Sequence, residues 1–378
     1  MVSFLNRFRP ARPPRVVVHV GMHKTGTSSI QDTFFRSTDP ELAYVDWTSG
    51  NHSPLFVLLF EDPQKQDQYH IFRNRGAAYL KELPQLRAQW LDRVRRQVRQ
   101  ARGKTVVFSA EDSSAPKFEH ATQQMQAFFA GLSEDVRAVG YARHPKSFIQ
   151  SAFQQNLRGG IVIDMERKGL RPNYRKRFEK IDRYFGPDNV ILREFHRDRM
   201  TGGDVVQDFA STIGITPPSE AEIIRSNPSM SLEATALLYV QRKYGRGLVS
   251  GFVEADAANN WFLDRLSKIG QSKLVFCNDM LAPLMGRIAE DVAWMEARLG
   301  TPFADVTDPH SAPVTTMDAL SDIALDQFEG FVDMAKLRDV GAPSLENLAA
   351  AIDQFQETCY AEWLARPKSQ NGRRHLET

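Results

Sequence analysis

The stretch Arg15-Val-Val-Val-His-Val-Gly-Met-His-Lys-Thr-Gly-Thr-Ser-Ser-Ile-Gln31 constrains what this chain can fold into more than any other. Val16, Val17, Val18 and Val20 form a short β-branched run, the pattern of a strand buried on both faces of a parallel sheet. Gly21 and Gly26 bracket a turn. Thr27, Ser28 and Ser29 then place hydroxyls where a helix begins, and Ile30 and Phe34 give that helix an apolar face. A glycine-bracketed loop feeding a helix N-terminus gathers several backbone N–H groups into a small volume. The helix dipole adds positive potential there, so the pattern predicts a site for phosphate or sulfate.

The position of the lysine decides which anion chemistry is expected. A Walker A loop runs G-x-x-x-x-G-K-[ST], with the lysine directly after the second glycine. Gly21 and Gly26 keep that spacing, but Thr27 stands in the lysine position and Lys24 lies inside the loop. From there the ammonium can reach a bound phosphate but cannot take the β/γ-phosphate position of an ATPase. The loop therefore argues for an anion at a helix N-terminus and against ordinary ATP hydrolysis.

Further strands follow the same grammar. Thr105-Val-Val-Phe-Ser109 and Val136 to Ala142 read as buried strands, and Val190-Ile-Leu192 as a third after the turn Gly186-Pro-Asp-Asn189. Helices are predicted from Gln85 to Arg102, from about Lys146 to Leu157, and across Tyr174, Phe178, Ile181 and Phe185. Strands alternating with helices imply a parallel α/β sheet flanked by helices. Ligands of such sheets bind beyond the carboxyl ends of the strands. Gly21, Glu111 and Arg143 all follow strand ends and are expected to converge on one edge. Residues 38–76 show no clear period, with Leu55 to Phe60 a short apolar run among them. The Gln85–Arg102 helix carries Arg93, Arg95, Arg96, Arg99 and Arg102 on one face, either a solvated surface or a dock for an acidic acceptor.

Two segments carry a resemblance to a known family. Val20-Gly-Met-His-Lys-Thr-Gly-Thr-Ser-Ser-Ile-Gln31 resembles the 5′-phosphosulfate loop of sulfotransferases that use 3′-phosphoadenosine 5′-phosphosulfate (PAPS), in the form found in bacterial and carbohydrate-type members. Val139-Gly-Tyr-Ala-Arg-His-Pro-Lys-Ser-Phe-Ile-Gln-Ser151 resembles their 3′-phosphate signature, an arginine ending a strand and a serine eight residues on, here Arg143 and Ser151. Phe195 to Met200, Asp204 to Phe209 and Asn227-Pro-Ser-Met-Ser231 are similar to later parts of the family. The likeness spans roughly residues 15–245.

The resemblance implies a P-loop NTPase-like sulfotransferase fold and transfer of a sulfuryl group from PAPS to a hydroxyl, leaving adenosine 3′,5′-bisphosphate. It assigns Lys24 to the leaving-group oxygen. His23, Lys24, Thr25, Gly26, Thr27 and Ser28 would hold the 5′-phosphosulfate, and Arg143 and Ser151 the 3′-phosphate, where a guanidinium fork suits phosphate oxygens. Two residues are candidates for the base. Glu111 follows a strand in Ser109-Ala-Glu111, which is similar to the strand end of bacterial members, and needs a raised pKa or acceptor-side help for the task. His52 titrates near neutrality without tuning. The acceptor implied is a carbohydrate or glycolipid. Two rivals stand beside this reading: a P-loop kinase or NTPase, disfavoured by Thr27, and a degenerate scaffold that binds nucleotide without turnover.

Composition narrows the rest. Of 378 residues, 42% are hydrophobic and 25% charged, with a net charge of +2, so nothing points to nucleic acid as a partner. Residues 1–14, with Arg7, Arg9 and Arg12, read as a flexible basic tail without the apolar core of a signal peptide. No apolar window is long enough for a transmembrane helix, and a cytoplasmic enzyme is expected. Cys277 and Cys359 read as two reduced thiols, and no metal-ligand spacing is present. Residues 15–245 are expected to form the α/β domain and residues 246–378 a helical extension or subdomain, marked by Ile288, Val292, Met295 and Leu299 and by Leu348, Ile352, Phe355 and Trp363.

Overall fold

The valine run at residues 15–21 is the central strand of a five-stranded, all-parallel sheet in the computed structural model, which describes residues 13–165, 169–225, 229–248, 255–304 and 313–366. In chain order the elements are β1 (Arg15–Gly21), α1 (Thr27–Phe35), β2 (Leu42–Tyr44), α2 (Ser53–Phe60), α3 (His70–Asn74), α4 (Gly76–Gln100), β3 (Thr105–Ser109), α5 (Glu119–Ala130), β4 (Val136–Ala142), α6 (Pro145–Arg158), α7 (Tyr174–Phe185), β5 (Val190–Glu194) and α8 (Val205–Ile213). Then come α9 (Leu232–Tyr244), α10 (Ala255–Leu266), α11 (Asn278–Leu299), α12 (Met317–Asp326), α13 (Phe328–Ala335) and α14 (Leu345–Leu364). The basic tail expected over residues 1–14 lies outside the described residues except for its last two, as do Asn227 and Pro228 of the Asn227–Ser231 motif.

Two compact units are interleaved along the chain. The first takes the chain up to Arg143, Asn173–Ser226 and Trp294–Pro302. The second takes His144–Pro172, Asn227–Ala293 and the chain from Phe303 onward.

The first unit holds the sheet, in the order β2-β3-β1-β4-β5. Strand alternation divides its core into two layers. Val17, Val107, Val139 and Tyr141 face α1 and α8, meeting Ile30, Phe34, Val206, Phe209 and Ile213. On the opposite face Phe108 packs against His52, Phe60 and Phe129, from α5 and the segment leading through α2. α2 and α7 pack on α5. Arg298 ties the short third segment in, donating to both oxygens of Asp182 and to the Val190 carbonyl. Of the basic face on α4, Arg93 pairs with Asp46 and covers the Trp90 ring, and Arg95 pairs with Asp92.

The strand order positions the site. The crossover leaving β1 runs toward the β2 edge, whereas those leaving β3 and β4 run the other way. β1 therefore sits where the winding direction reverses, and its carboxyl end is where an open parallel sheet leaves a crevice.

The second unit is helical, with only the bridges Ser231–Lys273 and Phe276–Val314 among its described residues. α9 is buried nearly all round, packed by α6, α12 and α14. A buried polar ladder crosses its core: Gln241 donates to Asp353 and Gln356, and Gln356 donates to Asn259. No helix among the described residues is long and apolar enough to cross a membrane.

Candidate anion-binding site

Local backbone chemistry builds the loop between β1 and α1. Gly21 and Gly26 both have positive φ, 78° and 70°, which glycine adopts without the Cβ penalty. A Cβ on Gly21 would stand 3.0 Å from the Glu111 Cβ, and one on Gly26 would stand 2.7 Å from Val205 Cγ1. The first glycine thus admits the chain leaving β3, and the second lets the loop lie against α8. Lys24, with φ of 70°, holds a left-handed conformation that a side-chain-bearing residue adopts only when its surroundings enforce it.

The enforcing contacts are visible. The Thr25 hydroxyl donates to the Met22 carbonyl at 2.6 Å and the Thr27 hydroxyl donates to the same oxygen at 3.3 Å. Both threonines are buried, so they brace the loop from within, and neither caps the helix with its side chain. Gly26 occupies the N-cap and accepts from the Ser29 and Ile30 N–H groups, which leaves the earlier N–H groups of the loop ahead of the first helical bond. Ser28 is half-buried in that first turn.

Arg143, at the end of β4, reaches across to this loop. Its Nη1 donates to the Lys24 carbonyl at 2.8 Å, and its guanidinium lies 5.5 Å from the Phe195 ring centroid. Tyr174 donates its hydroxyl to the Arg143 carbonyl and fixes the backbone there. Burial pulls the Arg143 pKa down to about 10, so it stays charged at neutral pH. Ser151 lies half-buried on α6, in the second unit.

The other side of the loop is acidic. His23 Nε2 lies 3.3 Å from Asp112 Oδ1 and 4.0 Å from Glu111 Oε1. Tyr69 donates its hydroxyl to the second Asp112 oxygen at 2.9 Å. Burial alone would lower the His23 pKa, but Glu111 and Asp112 outweigh it and raise the pKa above its ordinary value. Burial likewise opposes ionisation of Asp112. The hydrogen bonds and charge of His23, with help from Tyr69 and Lys117, still hold its carboxyl below the usual range.

Of the two candidate bases, Glu111 stands beside the loop and His52 does not reach solvent. His52 is fully buried, its Nε2–H donates to the Val45 carbonyl at 2.8 Å, and its Nδ1 accepts from the Ser109 N–H at 2.9 Å. Burial drives its pKa down to about 3. With both ring nitrogens taken by backbone, His52 joins the chain after β2 to the end of β3 and has none left for an acceptor.

Lys24, Arg143, His23 and Glu111 therefore meet at the carboxyl end of β1. Asp112 and Tyr69 join this cluster without belonging to either motif. Asp112 adjoins Glu111, which is the one signal it offers; Tyr69 sits in a stretch without periodicity. Among the described residues, no group of three or more histidines, cysteines, aspartates or glutamates is arranged to hold a metal ion. No protein-family model matches the chain, and no curated protein matches it.

Proposed function

We propose that this chain is a PAPS-dependent sulfotransferase with a P-loop-like first unit, transferring a sulfuryl group to a hydroxyl of a carbohydrate or glycolipid acceptor. The observation that carries the reading is the 2.8 Å bond from Arg143 to the Lys24 carbonyl. It sets the arginine that the resemblance assigns to the 3′-phosphate against the backbone of the loop assigned to the 5′-phosphosulfate, although the two motifs lie far apart in the chain. The choice of acceptor class rests on the resemblance of the loop alone. A cytoplasmic location belongs to the same proposal, supported by two cysteines that are both free thiols.

In this reading the loop N–H groups and the Ser28 hydroxyl hold the 5′-phosphate, and Arg143 exchanges its carbonyl partner for the 3′-phosphate. Lys24 neutralises charge on the oxygen that leaves sulfur as the acceptor hydroxyl attacks in line. Glu111, beside the loop, takes the acceptor proton. Thr25 and Thr27 act through the loop by fixing its shape.

Affinity for adenosine 3′,5′-bisphosphate in wild type and Arg143→Ala tests the assignment. Losing a charged hydrogen-bond partner costs about 1.5–3 kcal/mol, or roughly ten- to a hundredfold in Kd. Arg143→Lys, which keeps the charge without the fork, should fall between the two. Equal affinity in wild type and Arg143→Ala would refute the role given to Arg143.

A further inference from the structure

We propose that His23 is a proton-controlled cation of this site, so that the donor binds tightly only while the imidazole is protonated. The inference rests on the donor reading above and adds its regulation.

The segment after β3 brings two carboxylates, Glu111 and Asp112, to within 4.0 and 3.3 Å of His23, on a loop that is to hold an anion. Arg143, bonded to the Lys24 carbonyl, supplies positive charge to the same loop. A neutral His23 leaves both carboxylates facing the loop and opposing the donor. A charged His23 offsets one of them and carries a second ring N–H beyond the one directed at Asp112. At separations of a few ångströms and partial burial, one unit of charge changes anion affinity by an order of magnitude or more.

The surroundings hold the imidazole in place for this role. Asp112 is itself fixed, by the Tyr69 hydroxyl on its other oxygen and by its own N–H donating to Ser53 Oγ at 3.2 Å. The groups that face the cluster are Glu111 and Asp112 after β3, Lys117 beside Asp112, Tyr69 on the second Asp112 oxygen and Arg177 on α7. The carboxylates favour the proton on His23, and Arg177 opposes it.

The test is calorimetric titration of the full chain with adenosine 3′,5′-bisphosphate from about pH 6 to pH 9. Wild type, His23→Gln and Asp112→Asn are compared. The phosphates of the ligand ionise near pH 6 in every titration, so the quantity read is the affinity ratio between proteins at each pH. Wild type should bind about tenfold tighter than His23→Gln at the acid end and no tighter at the alkaline end. Asp112→Asn removes the partner that retains the proton, so its affinity should fall at lower pH than that of wild type. A wild-type to His23→Gln ratio that stays constant with pH overturns the inference and leaves the donor assignment standing. Wild type that fails to bind the bisphosphate at any pH overturns both. If His23→Gln does not fold, superimposable pH profiles for wild type and Asp112→Asn refute the proposal by themselves.

Discussion

Two neutral histidines in the core of the first unit make its stability sensitive to mild acid. His19 and His52 are fully buried, and burial pulls both pKa values down to about 3. His19 spends Nδ1 on the Ser109 hydroxyl at 2.8 Å, while its Nε2 meets no hydrogen-bond partner. In the unfolded chain both rings titrate near 6.5. The unfolded state therefore takes up protons as pH falls below 6.5 and the native state does not, until about pH 3. The stabilising contribution is present above pH 6.5 and is lost progressively toward pH 3. pH 5 lies about 1.5 units below the unfolded pKa of each histidine, a loss of about 2 kcal/mol each. That figure requires only that the native values stay below about 4. Most carboxylates remain ionised between pH 7 and pH 5, which isolates the effect. Chemical denaturation at the two pH values measures it. His52→Gln can keep an amide donor for the Val45 carbonyl, and His19→Gln keeps a polar group beside Ser109. Each variant should lose less stability than wild type between pH 7 and pH 5, by about 2 kcal/mol, whatever its absolute stability. Equal losses in wild type and both variants would refute the claim that these rings are held neutral.

Lys24→Ala should reduce sulfuryl transfer from radiolabelled PAPS to a mixed polysaccharide acceptor by a hundredfold or more, because its charge matters most when the leaving group forms. Its affinity for adenosine 3′,5′-bisphosphate, measured in parallel, should fall by about tenfold, well short of the loss in turnover. Gly26→Ala should lower the first unit's melting temperature by about 4 °C or more in scanning calorimetry, since it combines a φ of 70° with a Cβ 2.7 Å from Val205. Asp208 is fully buried and accepts from the Tyr141 hydroxyl, from Arg193 through both oxygens and from the Thr201 N–H. Asp208→Ala strands all of these donors and should cost about 3 kcal/mol in a denaturant titration, the partly exposed Arg193 keeping the loss at the low end for buried pairs.

Legibility in the sequence followed how local each feature is. β1, β3 and α7 were readable because a continuous β-branched run and an i, i+4 apolar stripe are each complete within one segment. β2 was not, since Leu42–Tyr44 is three residues long and draws its place from pairing with β3. α2 was seen only as an apolar run from Leu55 to Phe60. It is buried on every side, so it has no polar face to give a helical period. α4 was expected to begin after Pro84, which ordinarily stops a helix, but it runs from Gly76 and carries that proline in its interior. The two interleaved units have no composition change to mark them. Within the site the loop was legible, because glycine spacing and hydroxyls lie side by side. The link from His23 through Asp112 to Tyr69 was not, because three segments must pack before those groups meet. His52 has the residue type of a base, and only its burial between Val45 and Ser109 gives it an architectural role instead.

The central claim is that the loop after β1 is a site for the PAPS nucleotide. Calorimetric titration of the wild-type chain with adenosine 3′,5′-bisphosphate, beside ADP with Mg²⁺, tests it most directly. Micromolar or tighter binding of the bisphosphate is expected, with ADP–Mg²⁺ bound at least a hundredfold more weakly. Preference for ADP–Mg²⁺ would contradict it and favour a kinase or NTPase. Binding of neither ligand would leave the loop without a nucleotide and the donor reading without support.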